Sequence, residues 1–422
     1  MQSKEVLDNN MSQTQIKPGN ALSQSKPVVE VKAVTWDKDS HGLFDYENSY
    51  YDMRKFQIAK PVVIGRNKNE INCWSKNQNF SENERRETEF LLSISQNHED
   101  RSKFSVDVPG QFRNHEQFPV RHNYLIVRSL KCKDGRNQRG YSLHPGEIIK
   151  LGRVEYRVRE IKIRKPNGNG NEFEVLTTEE EAYDCMSGLP NDEVFDATKQ
   201  ALENQNDPSL TCRYCFQRDT SDDMMENLLI NPCDCKGSSG MVHLMCLMNW
   251  IQYKIISKNN NNIATYSWKK LQCEVCTKNW PRSVCFQNQV RSLISVEKPE
   301  FPYIILEKQS TDSTTNLKAN SLSLIVPSED APIKLGRGHQ CDLRISDISV
   351  SRIHAFLKFE NNRFLIFDND SKFGTLIKLN KPYQVMTDKA AVQIGRTVFT
   401  FVLKYSKSSR NQQSALKDDK KN

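Results

Sequence analysis

The sequence predicts a multidomain, mainly β protein. Three observations carry that expectation. Short apolar runs separated by turn residues recur in the first and last thirds of the chain, as in proteins built from many short strands. Four pairs of Cys and His residues crowd into a block from Cys212 to Cys276. The two ends and one internal stretch are polar and carry no apolar period, the composition of disordered tails and linkers. At roughly 100–200 residues per domain, 422 residues predict two to four domains.

Composition narrows the function classes. Charged residues make up 27% of the chain and mean hydropathy is −0.69, polar for a chain that is compact throughout. No segment approaches the ~18 consecutive apolar residues of a membrane helix, so no membrane span is expected. Residues 1–30 lack the apolar core of a secretory signal. The expected location is therefore intracellular, cytoplasmic or nuclear, and not secreted. In that setting the 12 cysteines point to metal ligation where they cluster, not to disulfides. Lys and Arg exceed Asp and Glu by 60 to 52, a mild surplus that does not by itself make nucleic acid an expected partner.

Residues 1–30 read as a disordered tail, rich in Gln, Ser, Asn and Lys. Residues 31–165 read as a β-rich domain, with runs such as Val62-Val63-Ile64 and Tyr124-Leu125-Ile126-Val127. Near its end Val154, Tyr156 and Val158 alternate with charged residues, then Ile161 and Ile163 continue in the other phase. A period of two predicts a strand, and the phase slip predicts a bulge near Arg159. Arg153, Arg157, Arg159, Lys162, Arg164 and Lys165 make this strand basic; a solvated strand face is the favoured reading over a phosphate-contacting stripe. Asn167-Gly168-Asn169-Gly170 is a turn signal opening an acidic linker over 166–207, with room for one helix. The Cys/His unit spans 208–282, a connector 283–302, a second β-rich block 303–405 and a disordered tail 406–422.

The ligand pairs are Cys212-x2-Cys215, Cys233-x-Cys235, His243-x2-Cys246 and Cys273-x2-Cys276. Eight such ligands fit two tetrahedral Zn²⁺ ions. Full sets of four protein ligands leave no open coordination position, so the zinc is structural. It replaces a core that ~65 residues could hardly build alone. The surroundings add detail: Arg213 inside the first pair, Asn231-Pro232-Cys233-Asp234-Cys235-Lys236-Gly237-Ser238, and Trp250 four residues after Cys246. This pattern resembles the RING-CH (RINGv, C4HC3) zinc finger over about 208–282; the PHD finger shares the ligand order and is the competitor. The resemblance implies a cross-brace, with Cys212, Cys215, His243 and Cys246 on one zinc and Cys233, Cys235, Cys273 and Cys276 on the other. It further implies ubiquitin ligation by docking of a ubiquitin-conjugating enzyme on Tyr214, Trp250 and Pro281. Trp250 reads equally well as a core aromatic beside a zinc site. Tyr214 stands where family members commonly carry Ile, and Thr277 where active RING proteins often carry a basic residue, with Lys278 one place later. The gap from Cys246 to Cys273 is long for the family.

In the second β-rich block, Leu335-Gly336-Arg337-Gly338, Ser351-Arg352-Ile353-His354 and Asp370-Ser371-Lys372-Phe373-Gly374-Thr375 follow in order between strand-like segments. This resembles the forkhead-associated (FHA) domain, a β-sandwich that reads phosphothreonine peptides through loops at one end. A phosphothreonine offers about two negative charges and three acceptor oxygens. The resemblance implies phosphopeptide binding by Arg337, Ser351, Arg352 and Lys372, and loop-shaping roles for Gly336, His354 and Gly374. Phe373 replaces an Asn that in the family often bonds the peptide backbone; Asn369 is a possible substitute.

Two stretches echo each other. Tyr141 through Ile148-Ile149-Lys150-Leu151-Gly152-Arg153 matches Tyr383 through Val392-Gln393-Ile394-Gly395-Arg396, and Val63-Ile64-Gly65-Arg66 matches Lys334-Leu335-Gly336-Arg337. Two readings stand: the N-terminal block is a degenerate FHA-like sandwich, with Arg66 a weak candidate for phosphate, or it is unrelated β structure sharing a strand-end pattern. Cys73, Cys132, Cys185, Cys285 and Cys341 have no spaced partners and read as free thiols. The whole predicts a RING-type ubiquitin ligase that recruits a phosphothreonine-containing protein. The alternative is a non-catalytic, phospho-dependent adaptor with a structural zinc domain.

Overall fold

A computed structural model describes residues 26–36, 43–47, 51–67, 70–78, 80–97, 99–107, 122–130, 138–165, 172–177, 194–198, 209–218, 228–260, 262–287, 289–309, 320–328 and 331–406. The architecture is mainly β. Its first strand, Lys26–Trp36, begins inside the stretch expected to be tail: residues 26–30 pair with 402–406 of the last strand, Thr397–Ser406. The connector also carries strands, Ser283–Phe286 and Gln289–Ser292. Strand Val194–Asp196 runs parallel to the former. The helix expected in the linker, and Cys132 and Cys185, lie outside the described residues or at their margin.

Among the described residues a 13-stranded sheet runs through most of the protein. Its order shows that the two β-rich blocks exchange strands. Strand Tyr51–Ile58 pairs with Lys26–Trp36, but the next neighbours are Thr397–Ser406 and Ala390–Ile394 from the C-terminal block, followed by Asn123–Ile126. In the other half, Asn320–Ile325 and Tyr303–Lys308 are followed by Val154–Arg164 and Ile148–Leu151 from the N-terminal block, then Thr375–Lys378. Two five-stranded sheets repeat the exchange. Tyr383–Val385 caps the sheet containing Val62–Asn67 and Thr88–Gln96, and Tyr141–Ser142 caps the one containing Ile333–Gly336 and Ala355–Glu360. The donated segments, 141–158 and 383–401, are the two that echo each other in sequence. Each has the same shape: an apolar strand, a two-residue turn and a second apolar strand. Gly152 and Gly395 open the turns at φ 60° and 55°, a conformation that a side chain resists.

The halves meet where Asn123–Ile126 pairs with Thr375–Lys378, Leu125 opposite Ile377. Leu125, Ile149, Ile377, Val392, Phe399 and Phe401 are all essentially buried and belong to one continuous core. The bulge expected near Arg159 is present: pairing of Val154–Arg164 with Tyr303–Lys308 shifts register between Val158 and Glu160. That strand lies inside the sheet, and several cations along it and in the turn before it have partners within the protein. Arg153 faces Asp347 (3.4 Å), Arg159 bonds Ser292 (3.1 Å) and Lys162 the carbonyl of Pro299 (2.9 Å).

The zinc unit is bound into the same sheet. The long gap between Cys246 and Cys273 folds as a hairpin, Ile256–Asn260 and Ile263–Trp268, and the latter strand pairs with Asn320–Ile325. Two buried carboxylates reinforce the joint: Glu307 with Arg282 (2.6 Å), and Glu160 with Lys298 (2.6 Å) and the Tyr303 hydroxyl. Removing one partner from an ion pair with a buried member destabilises the fold strongly, because the buried charge stays desolvated and uncompensated.

Strand exchange makes two predictions. A chain cut at an engineered protease site between residues 178 and 193 should still elute as one particle; separation without denaturant contradicts the exchange. Phe401→Ala should cost about 3–5 kcal/mol in chemical unfolding, the usual range for emptying a buried Phe site.

Candidate zinc centres and phosphopeptide site

In the zinc unit, strand Val242–His243 pairs with Leu229–Ile230 and leads into helix Leu244–Lys254. Leu244, Leu247 and Ile251 lie at helical spacing and are buried, which turns Cys246 toward the metal side and leaves Tyr253 exposed. The ligand atoms of Cys212, Cys215, His243 and Cys246 lie within 4.8 Å of one another, as do those of Cys233, Cys235, Cys273 and Cys276. First and third pairs thus meet, and second and fourth, the interleaving of a cross-brace. The donor sets fit two structural Zn²⁺ ions.

Local bonds pre-orient these ligands. His243 turns Nδ1 toward the Cys215 sulfur (3.3 Å), while its Nε2 reaches the Arg218 carbonyl (2.6 Å). That second bond assigns the proton to Nε2 and leaves Nδ1 for the metal. The backbone N–H groups of Tyr214 and His243 donate to the Cys212 sulfur at 3.4 and 3.3 Å. Arg213, inside the first pair, donates to the Cys273 sulfur at 3.4 Å and so bridges the two sites. Burial disfavours the Cys273 thiolate, but N–H groups of Cys276 and Val275 and the Arg213 guanidinium outweigh it and bring the thiol down to about 6.

Tyr214 and Trp250 stack with ring centroids 6.2 Å apart, and Trp280 meets Trp250 edge-on at 6.4 Å. Lys254 lies over the Trp250 ring and pairs with Glu274 (3.4 Å). Tyr214 and Trp250 are half-buried, so the pair offers a partly apolar surface rimmed by charge. Pro281 lines a cavity of about 220 Å³ between the zinc unit and the sheet, with Arg159, Trp268 and Glu307. Lys278 is tied to Asp234 (2.8 Å), and Thr277 has φ 61°. The sequence marks Arg213 only by its place inside the first pair; neither its reach to Cys273 nor the Lys254–Glu274 pair carries a distinguishing local pattern.

At the other site, Ile333–Gly336 delivers Arg337 to a loop whose backbone is laced to 351–352: Arg337 N–H donates to the Ser351 carbonyl (3.0 Å) and Gly338 N–H to that of Arg352 (2.9 Å). A Cβ at Gly336 would collide with both carbonyl oxygens. Arg337, Arg352 and Lys372 are exposed, and the Arg337 guanidinium makes no ion pair among the described residues. Ser351 Oγ accepts from the Lys372 N–H (3.1 Å), which joins the two loops. His354 is fully buried; its Nδ1 accepts from the Ser351 N–H (3.1 Å), and its Nε2–H donates to the Gly374 carbonyl (3.1 Å). Gly374 has φ 75°, and a Cβ there would press on the Tyr46 ring. Asn369 uses its amide on the Ile353 carbonyl (3.1 Å).

Asp368 is the hub of this end. Its buried carboxylate accepts from Ser371 Oγ (2.6 Å), the Thr375 N–H (2.8 Å) and hydroxyl (2.7 Å), and Arg128 (3.0 Å). Arg128 also donates to the Ser371 carbonyl and lies 4.5 Å from the centre of the Tyr46 ring. Tyr46 N–H donates to the Lys372 carbonyl (3.0 Å). On the other loop, Arg153 N–H donates to Ser349 Oγ (2.9 Å). These supports come from the N-terminal block; the sequence marks Arg153 only as a strand cation and repeat position, and carries no local pattern at Arg128 or Tyr46. The corresponding Arg66 is 5% exposed and paired with Glu89 (2.8 Å), which rules it out as a phosphate ligand as placed.

Comparison with known families agrees with this geometry. The RING-variant domain matches residues 212–276, and the FHA domain matches residues 333–395. No curated protein and no solved structure matches the chain.

Two measurements follow. Elemental analysis should find two zinc ions per chain, and Cys273→Ser should lose zinc and unfold the unit; full retention of both ions contradicts the assignment. Burial lowers the His354 pKa below the ordinary 6.5. The unfolded chain then binds more protons, so this histidine's contribution is complete above pH ~6.5 and fades as pH falls through the folded value. An NMR titration of the His354 ring should place its midpoint below 6.5; one at or above that value contradicts the assignment.

Proposed function

We propose that this chain is a RING-type ubiquitin ligase whose FHA site selects phosphothreonine-containing proteins and whose zinc unit recruits a ubiquitin-conjugating enzyme. The observation that carries the reading is the sheet shared by the two modules. Strand Ile263–Trp268, grown from the zinc unit, is hydrogen-bonded to Asn320–Ile325 of the sandwich. A target held at one module is therefore presented at a set offset from an enzyme held at the other. Ligases of this kind make no covalent bond to ubiquitin; they raise the rate by holding two reactants together in a productive orientation. Tyr214 and Trp250 form the docking surface in this reading, with Pro281 at its margin. Arg337 is the main phosphate ligand, as a guanidinium gives strong charge-assisted bonds to phosphate oxygens. Ser351, Arg352 and Lys372 complete the site. An intracellular setting, cytoplasmic or nuclear, belongs to the same reading, because reduced thiols are what the zinc centres require.

One observation favours a second reading, a phospho-dependent adaptor without transfer activity. The basic side chain nearest the end of the last ligand pair, Lys278, is already committed to Asp234.

The test is ubiquitin transfer by full-length, zinc-loaded protein with a panel of conjugating enzymes and an immobilised phosphothreonine peptide library. The ligase reading expects chain formation that falls at least tenfold in Trp250→Ala at unchanged zinc content, and peptide capture that vanishes in Arg337→Ala. Capture without transfer across the panel selects the adaptor.

A further inference from the structure

Residues 43–47 belong to the N-terminal block but lie against the phosphate-site loop of the other sandwich. Leu43, Phe44 and Asp45 are buried. Tyr46 N–H donates to the Lys372 carbonyl (3.0 Å), and the Tyr46 ring fits where Gly374 has no side chain. The segment is braced further by Arg128, stacked on Tyr46 and bonded to Asp368, and by the Tyr46 hydroxyl, which donates to Gln393 (3.1 Å). The consequence falls on Lys372. Its ammonium lies 3.4 Å from the Asp45 carboxylate, with side-chain exposures of 47% and 12%. Its own backbone N–H meanwhile bonds Ser351, so the residue sits at the phosphate site while its charge is held elsewhere.

We propose that Asp45 sets the affinity of the phosphothreonine site by holding Lys372 until a phosphate takes it. The inference rests on the phosphopeptide reading above and adds a residue more than 300 positions away in the sequence. A phosphate carrying about two charges is a stronger acceptor than a carboxylate. Ligand binding therefore draws Lys372 from Asp45, and the lost ion pair is a cost that every bound peptide meets. The device discriminates by charge. A phosphothreonine can displace Asp45, whereas a peptide offering one carboxylate exchanges like for like and gains nothing. Arg337 and Arg352, both exposed, give the site its base affinity.

Asp45→Asn is the direct variant. It keeps the Oδ1 acceptor for the Glu47 N–H (3.0 Å) and leaves the Tyr46–Lys372 bond untouched. The probe is a fluorescein-labelled phosphothreonine peptide chosen from the library by capture on full-length protein, read by anisotropy. Removing a half-exposed ion pair should tighten binding on the order of threefold at low salt, with the gain shrinking as salt screens the charges. Lys372→Met should bind more weakly than wild type, and adding Asp45→Asn to it should give no further gain. An unchanged or weakened affinity in Asp45→Asn overturns the proposal, as does a gain that survives in Lys372→Met. If neither wild type nor Asp45→Asn captures any phosphothreonine peptide, the phosphopeptide reading itself fails. If capture requires Arg337 yet ignores Asp45, only this inference fails.

Discussion

Backbone pairing between Asn123–Ile126 and Thr375–Lys378 is the constraint on which the rest of the structure depends. It places two sandwich-like halves edge to edge and lets each take its final strands from the other. A sandwich half left alone would expose a long apolar edge, and open edges are costly because they present unpaired N–H and C=O groups. Here the edge of each half is closed by the donor strands, and the core runs through both. The N-terminal block is thus not an independent sandwich beside the one that the FHA domain matches. Its own Arg66 is spent on Glu89, while its Arg128, Tyr46 and Arg153 brace the loops of the other half.

The zinc unit follows the same logic on a smaller scale. Two Cys/His centres reinforce a small core of Ile230, Val242, Leu244, Leu247 and Ile251, and Arg213 ties one centre's loop to the other's sulfur. The hairpin at 256–268, which lengthens the gap between ligand pairs, serves as the attachment to the sandwich. Glu307 and Glu160 lock the same junction through ion pairs with Arg282 and Lys298. The unit therefore takes its internal order from metal and its orientation from the sheet.

Much of this was legible in the sequence, and the limits have a physical cause. Ligand spacing identified both zinc sets because a tight turn must bring two donors to one ion. Phase alternation located the strand at Val154–Arg164 and its bulge, because side-chain period reports directly on pleat. Three motifs placed the loops that carry Arg337, Ser351 and Lys372, which the structure joins by hydrogen bonds, and the echo between 141–158 and 383–401 marked the segments that are exchanged. The exchange itself was not readable: equivalent strands carry equivalent patterns, so sequence does not say which half a strand completes. Asp45, Tyr46 and Arg128 were missed for the same reason. Their partners lie hundreds of residues away, and each sits in a stretch with no motif. Residues 26–30, Lys-Pro-Val-Val-Glu, read as tail because so short a stretch shows no strand period until its partner strand is known.

The central claim is that the candidate phosphopeptide site and the zinc unit form one body. A distance measurement by electron paramagnetic resonance tests it most directly, with spin labels carried by non-natural amino acids at Tyr253 on the zinc-unit helix and Ile348 beside the phosphate loop. Both positions are more than 80% exposed, so labels there disturb no packing. The account predicts a single narrow distance distribution that stays narrow when a phosphothreonine peptide is added. A broad distribution, of the kind given by two domains on a flexible tether, would contradict it.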